Sequence, residues 1–291
     1  MLFRSVSHAD LPSASALMSL RWQFGGIVGP SAGGIIIAAH GAGAGYFVDC
    51  CTFIASLALL WQVRNVPPIG KTTPPSVAAL MEGIRYAYNR KDLLGTYVVD
   101  LAAMFLAMPM ALFPFWADAI GAPYALGFFY SSITIGAVLV TLMSGWMRNY
   151  PHHGRAVVIG ALGWGFAIVV AGSTDSLYLV IGSLIIAGAF DQVSALFRGF
   201  IWNQSIPDEL RGRLAGIEML SYLLGPLGGQ ARAGGMAALT SLRTSIVGGG
   251  LLCIGLVSAI STAMPKFRKY DVRSNEFAVE QAKIRQNREN S

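Results

Sequence analysis

Seven ionisable residues sit where charge is expensive: Arg21, Asp49, Asp100, Asp191, Arg198, Glu218 and Arg232 all fall inside long apolar stretches. A charge moved into an apolar medium needs a partner, water or a ligand to offset its lost hydration, so each of the seven is a candidate for binding or proton exchange. Asp191 and Arg198 are seven residues apart, two helical turns, and therefore share a helix face. They could pair through an intermediate group, or serve a ligand and a proton separately. Asp100 and Glu218 lie near the beginnings of their apolar stretches, where a carboxylate partly removed from water is suited to exchanging a proton. Arg21 lies near a stretch end and can reach polar surroundings along its apolar stem. The plainer alternative for each is an interhelical ion pair or an interfacial anchor.

No other chemistry finds the residues it needs. There is no His/Cys cluster at metal-ligand spacing, and the adjacent His152 and His153 lie in a basic turn and read as solvated. GxxxxGK[ST] does not occur, which disfavours ATP-driven work. No cofactor, no metal and no enzymatic activity are expected. The net charge of +6 comes without an aromatic-interleaved basic module, so no nucleic-acid partner is expected either.

The elements that must position these charges follow from composition. The 291 residues are 54% hydrophobic and 12% charged, whereas a soluble domain carries roughly 25% charged residues. Apolar stretches of membrane-crossing length recur, and the pattern predicts eight spans, at about 15–39, 44–63, 95–117, 124–147, 156–173, 177–203, 214–239 and 244–264. The expected class is an all-α polytopic membrane protein. Lys and Arg crowd one set of loops (Arg64, Lys71, Arg85, Arg90, Lys91, Arg148, Arg155, Arg211 and Arg213), while the other set offers Arg243, which predicts both chain ends on the cytoplasmic side. The four regions expected are two helices within 1–64, a linker with a short surface helix at 65–94, six helices within 95–264, and a polar tail at 265–291 to which the sequence commits no structure.

One span contradicts its own helix propensity. "GGIVGPSAGG", residues 25 to 34, holds five glycines and a proline, costing about 1 kcal/mol per glycine and about 3 for the proline relative to alanine. Gly25, Gly29 and Gly33 are four apart and make one stripe, with Gly26, Pro30 and Gly34 beside it. In lipid such small residues let backbones approach, and a proline is tolerated where neighbouring helices compensate, so the segment reads as a helix interface. A related segment opens the seventh span. "ELRGRLAGIEMLSYLLGPLGG", residues 209 to 229, carries Gly225-Pro226 followed by two glycines, as residues 10 to 34 do. A period of six helices places one complete repeat at 95–264, preceded by the last two helices of another.

These residues together resemble the major facilitator superfamily, in the branch of bacterial exporters typified by the enterobactin exporter. "DLPSASAL" leading into Gly25, Gly29, Pro30, Gly33 and Gly34 is similar to the antiporter motif of the fifth helix, with alanine at position 16 in place of the motif's upstream glycine. "YFVDCCTF" with Asp49 resembles the sixth helix, and "IPDELRGRLAGI" the turn before the eleventh. "SGWMRNYPHHGR" resembles a degenerate cytoplasmic loop motif, carried by Gly145, Arg148, Gly154 and Arg155. The resemblance covers about residues 4 to 270 and implies a major-facilitator-type helical bundle lacking the first four of twelve transmembrane helices. It implies a proton-coupled exporter of a small amphipathic molecule, siderophore or drug-like, in the bacterial inner membrane. Asp100, Asp191, Arg198, Glu218 and Arg232 are the candidates for its substrate or proton path, and Gly25, Gly29, Pro30, Gly33, Gly34, Gly225 and Pro226 for gating and packing. The expected partners are the lipid bilayer, the small-molecule substrate, protons and a four-helix N-terminal segment. The alternative is a non-transporting remnant, or a half-module assembling with a separate membrane polypeptide.

Overall fold

The computed structural model describes residues 11–62, 81, 85, 86, 88, 90–206 and 208–289. Every regular element among them is helical. The long helices are α1 (Leu11–His40), α2 (Ala42–Trp61), α3 (Lys91–Ala107), α5 (Leu126–Leu142), α6 (His153–Gly172), α7 (Leu177–Ser205), α8 (Asp208–Leu239) and α9 (Leu242–Ala263); α4 (Phe113–Ala119), α10 (Pro265–Arg268) and α11 (Glu276–Glu289) are shorter. Six stretches of the described chain are long and apolar enough to cross a membrane: Ala42–Trp61, Lys91–Ala119, Pro123–Leu142, His153–Gly172, Leu177–Ser205 and Leu242–Ala263. Helices α1 and α8 run through the other two expected spans.

The third expected span is broken. Pro109 removes a backbone donor and pushes the preceding Met108 to an extended conformation, so α3 stops at Ala107 and the chain resumes as a 3₁₀ turn (Met110–Leu112) and α4. Backbone groups freed inside an apolar layer must find partners, and the Tyr130 hydroxyl of α5 donates to the Met110 carbonyl at 3.1 Å. At the α1–α2 corner, Gly41 takes φ +80°, a conformation that an L side chain rarely adopts.

The core lies among α3, α5, α6, α7, α8 and α9. Helix α7 packs on both α5 and α6, α9 on α6 and α3, and α8 on α3 and α9. Backbones touch where glycines allow it: a Cβ on Gly136 of α5 would fall 1.9 Å from the Ile185 carbonyl of α7, and one on Gly188 of α7 would fall 2.0 Å from the Ile133 carbonyl of α5. Trp164, Phe197, Leu184, Ile168 and Phe129 fill the interior with 1% exposure or less. By contrast α1 joins this bundle through α5, and α2 packs on α1 with no buried residue of its own.

The tail, to which the sequence committed no structure, folds back onto the bundle. Phe267 is wholly buried, in a slot walled by two glycines: a Cβ on Gly95 of α3 would meet its ring at 2.3 Å, and one on Gly154 of α6 its carbonyl at 1.9 Å. Tyr270 and Ala278 are buried beside it, and the Val272 amide donates to the Pro151 carbonyl at 3.2 Å.

Candidate functional site

The charge ladder between α3 and α7 is the centre of the site. Arg198 pairs with Asp100, the two side chains being 3% and 6% exposed. One turn along both helices, the Trp202 indole donates to the Thr96 hydroxyl at 2.8 Å, and the Trp202 ring stacks on Tyr97 at 5.0 Å. Thr96 and Asp100 are four apart on α3, as Arg198 and Trp202 are on α7, so two rungs of matching pitch join the helices. The Thr96 hydroxyl donates onward to the Leu93 carbonyl at 2.7 Å. The Asp191–Arg198 spacing anticipated a shared face but not the partner, which comes from a different helix 98 positions earlier in the chain. Asp191 stands half-buried two turns further along α7.

Arg232 of α8 is half-buried, and its guanidinium lies over α9, where a Cβ on Gly249 would meet Nη2 at 2.7 Å. Its Nη1 donates to the Met236 sulfur at 3.3 Å. Glu218 and Arg21 fall within α8 and α1, and their side chains lie outside the described residues, as does that of Arg148. Asp49 is exposed on α2.

The Gly-Pro segment of α1 meets α5, but through the neighbouring stripe rather than the anticipated one. A Cβ on Gly26 would touch Thr134, one on Gly34 would fall 2.8 Å from Gly127, and one on Gly127 would fall 2.3 Å from the Pro30 carbonyl. Two hydroxyls complete the seam: Ser31 and Ser131 share a 2.7 Å hydrogen bond, and the Ser131 hydroxyl is 2.8 Å from the Ile27 carbonyl. Gly25, Gly29 and Gly33 face open space among the described residues. In α8 the corresponding residues are engaged. Gly225 and Gly229 are buried, and a Cβ on them would meet Met104 at 3.1 Å and the Met104 carbonyl at 2.2 Å respectively, with Pro226 half-buried between them.

At one end of the bundle a second polar cluster went unnoticed in the sequence. Arg90 grips Asp92 with two nitrogens, at 2.9 and 2.7 Å, lies 3.3 Å from the centre of the Phe277 ring and bonds the Tyr86 hydroxyl at 3.1 Å. From the sequence Arg90 reads as a loop cation, yet it is 6% exposed. The aromatic positions 267, 270 and 277 in an otherwise polar tail were the available signal. His152 pairs with Asp271 at 3.1 Å, whereas His153 is buried, 3% exposed, against the rings of Phe197, Phe200 and Tyr270. The reading of both histidines as solvated is corrected for His153: the docked tail covers it. Burial pushes the Tyr270 phenol up to about 12. Of the loop-motif residues, Gly154 is pressed against Phe267, while Gly145 and Arg155 are exposed. No group of three metal-binding side chains occurs among the described residues.

A buried ion pair inside a stack of membrane-length helices calls for a comparison with proteins that move molecules across membranes. Residues 3–289 match the model of the family described as transmembrane secretion effector. The chain belongs to this family. It is a multi-pass membrane protein of the major facilitator type, in the exporter branch, and its family is one of transporters rather than enzymes. It is 28% identical over 273 residues to the multidrug efflux pump Tap of Mycolicibacterium fortuitum, covering 91% of this chain and 66% of that protein. It is 27% identical over 268 residues to the enterobactin exporter EntS of Shigella flexneri, covering 91% of this chain and 64% of that one. The Escherichia coli O1:K1 EntS is 26% identical over 269 residues, with the same coverages of 91% and 64%. The chain thus spans just under two thirds of the length of these curated relatives.

Proposed function

We propose that the chain is the larger part of a secondary exporter of a small amphipathic molecule, siderophore-like or drug-like, driven by proton exchange and working by alternating access in the bacterial inner membrane, with both termini cytoplasmic. The observation that carries the reading is the Asp100–Arg198 pair: two charges with 3% and 6% exposure, kept inside an apolar bundle of a secretion-effector family member. An ion pair so placed is costly to desolvate, and it fits a part that must be held in one state and released in another. Asp191, two turns along the same helix, is the assigned proton carrier, and Arg232 an assigned contact for the substrate. Lipid, protons and the exported molecule are its partners.

The open stripe at Gly25, Gly29 and Gly33, with an α2 that buries nothing, supports a further assignment. Four more membrane helices, on this or on a separate polypeptide, complete the first bundle, so that the two bundles rock about a shared midplane site. The same open stripe favours a half-module awaiting its partner over a remnant that needs none. The test is export from cells or proteoliposomes under a pH gradient, with siderophores and drugs as substrates. The 291 residues alone are expected to move nothing; co-expressed with a four-helix segment from a relative they are expected to export, and Asp191→Asn to abolish it. Export by the 291 residues alone overturns the need for further helices. No export in the completed assembly overturns the exporter reading.

A further inference from the structure

Between the beginning of α3 and the docked tail lies a cavity of about 500 Å³ whose lining includes Lys91, Lys266 and Lys269. Three carboxylates also line it, but two are already occupied. Both oxygens of Asp92 are taken by Arg90, at 2.9 and 2.7 Å, and Asp271 is held by His152 at 3.1 Å and by the Arg273 amide at 2.9 Å. That leaves Glu276 against three ammonium groups that form no ion pair among the described residues. Their level in the fold is informative. Lys91 is the first residue of the membrane-length stretch Lys91–Ala119, and Lys266 follows the end of Leu242–Ala263 by three residues. The ammonium groups therefore sit where apolar helices emerge into the headgroup layer, and basic pockets between helices at that depth suit anionic headgroups. The pocket is also built rather than incidental: Phe267 in its two-glycine slot and Phe277 over Arg90 fix the tail that supplies Lys266 and Lys269.

We infer that this cavity is a binding site for the phosphodiester headgroup of an anionic phospholipid, held by Lys91, Lys266 and Lys269. The site is independent of the transport reading, and its readout is lipid binding. The full chain, purified and stripped of lipid in a neutral detergent, is titrated with phosphatidylglycerol, phosphatidylcholine or inorganic phosphate while thermal unfolding is followed. Phosphatidylglycerol is expected to raise Tm saturably, and the other two to leave it unmoved. At about 1 kcal/mol per lysine near the headgroup layer, each Lys→Gln change should weaken binding about fivefold, and Lys91→Gln/Lys266→Gln/Lys269→Gln about a hundredfold. Arg273→Gln, an exposed cation at the same end, should bind as the wild type does. An equal response to phosphatidylcholine, or a triple variant that binds as tightly as wild type, overturns the site. Saturation by inorganic phosphate at the concentration where phosphatidylglycerol saturates overturns the lipid assignment. Should the triple variant not fold, the three single variants decide, and none of them weakening binding overturns the proposal.

Discussion

Helices α1 and α8 carry the same Gly-Pro-x-(x)-Gly-Gly signature but use it differently. In α8 a Cβ at Gly225 or Gly229 would run into α3, whereas at Gly25, Gly29 and Gly33 of α1 it would meet nothing within 4 Å. The α3 side of the bundle is also bound by a buried ion pair and an indole hydrogen bond, while α1 is joined to α5 by two serine hydroxyls and glycine contacts. A stripe of small residues therefore announces that backbones will meet; what they meet depends on the rest of the assembly. The contrast also suggests a division of labour, with a rigid clamp on one side and a lightly bonded seam on the other.

The sharpest way to break this contrast is to cut the clamp. Removing one partner of a buried ion pair strands the other charge, at a cost of about 3–5 kcal/mol. Arg198→Ala and Asp100→Ala should each lower the free energy of unfolding in detergent by that amount, read as a lower unfolding midpoint. The double change Asp100→Asn/Arg198→Gln should recover most of it while leaving export lost. Equal stability of the single variants and wild type would deny the pair its clamping role.

Next in size is the comparison of the two Gly-Pro helices themselves. Valine at Gly229 must displace the Met104 carbonyl, 2.2 Å from the new Cβ, and such overpacking typically costs about 1–3 kcal/mol. Alanine at Gly29 has open space and should gain up to about 1 kcal/mol of helix propensity. If further helices cover that stripe in the complete exporter, Gly29→Val should impair assembly and export there while leaving the 291-residue chain as stable as before. Thermal unfolding of the chain and export by the assembly separate the two effects. A smaller change concerns the seam. Ser131→Ala removes hydrogen bonds that each contribute about 1 kcal/mol net, and should loosen α1 from α5, read by faster hydrogen exchange around Ile27, with little loss of global stability.

How much of this was legible depended on whether the signal was local. Hydropathy places membrane-length helices because every backbone group in lipid must bond within its own segment, so each span reveals itself without reference to the others. The break after α3 was missed although Pro109 stood in view, since the apolar run continues across it and hydropathy ignores φ. The charges were legible as candidates for the same local reason, but the Asp100–Arg198 pair was not. Nothing in the spacing of α7 says which helix packs against it, and only the packing brings Asp100 to Arg198. The tail failed in the opposite direction. Its polar composition hid the buried Phe267 and Tyr270 and the Phe277 ring that lies over Arg90, and the burial of Phe267 requires glycines at 95 and 154 that lie more than a hundred residues away.

The effect that needs the most extreme conditions is a pH response of that tail, which tests whether its docking is as firm as the clamp. Desolvation holds the docked Tyr270 phenol neutral up to about 12, against about 10 for a phenol in water. Below pH 10 the group is neutral whether docked or released, and docking has its full strength. Between pH 10 and 12 the released form ionises while the docked form does not, so docking weakens as pH rises, by up to about a hundredfold at the upper end. A fluorescent label at Ser274→Cys, with Cys50 and Cys51 replaced by Ser, should report release of the tail in that window. In Tyr270→Phe the phenol is gone, so docking should be insensitive over the same range. A response that survives Tyr270→Phe would place the weak point elsewhere at this end, at the exposed His152–Asp271 contact or in the Arg90–Asp92 pair beneath Phe277.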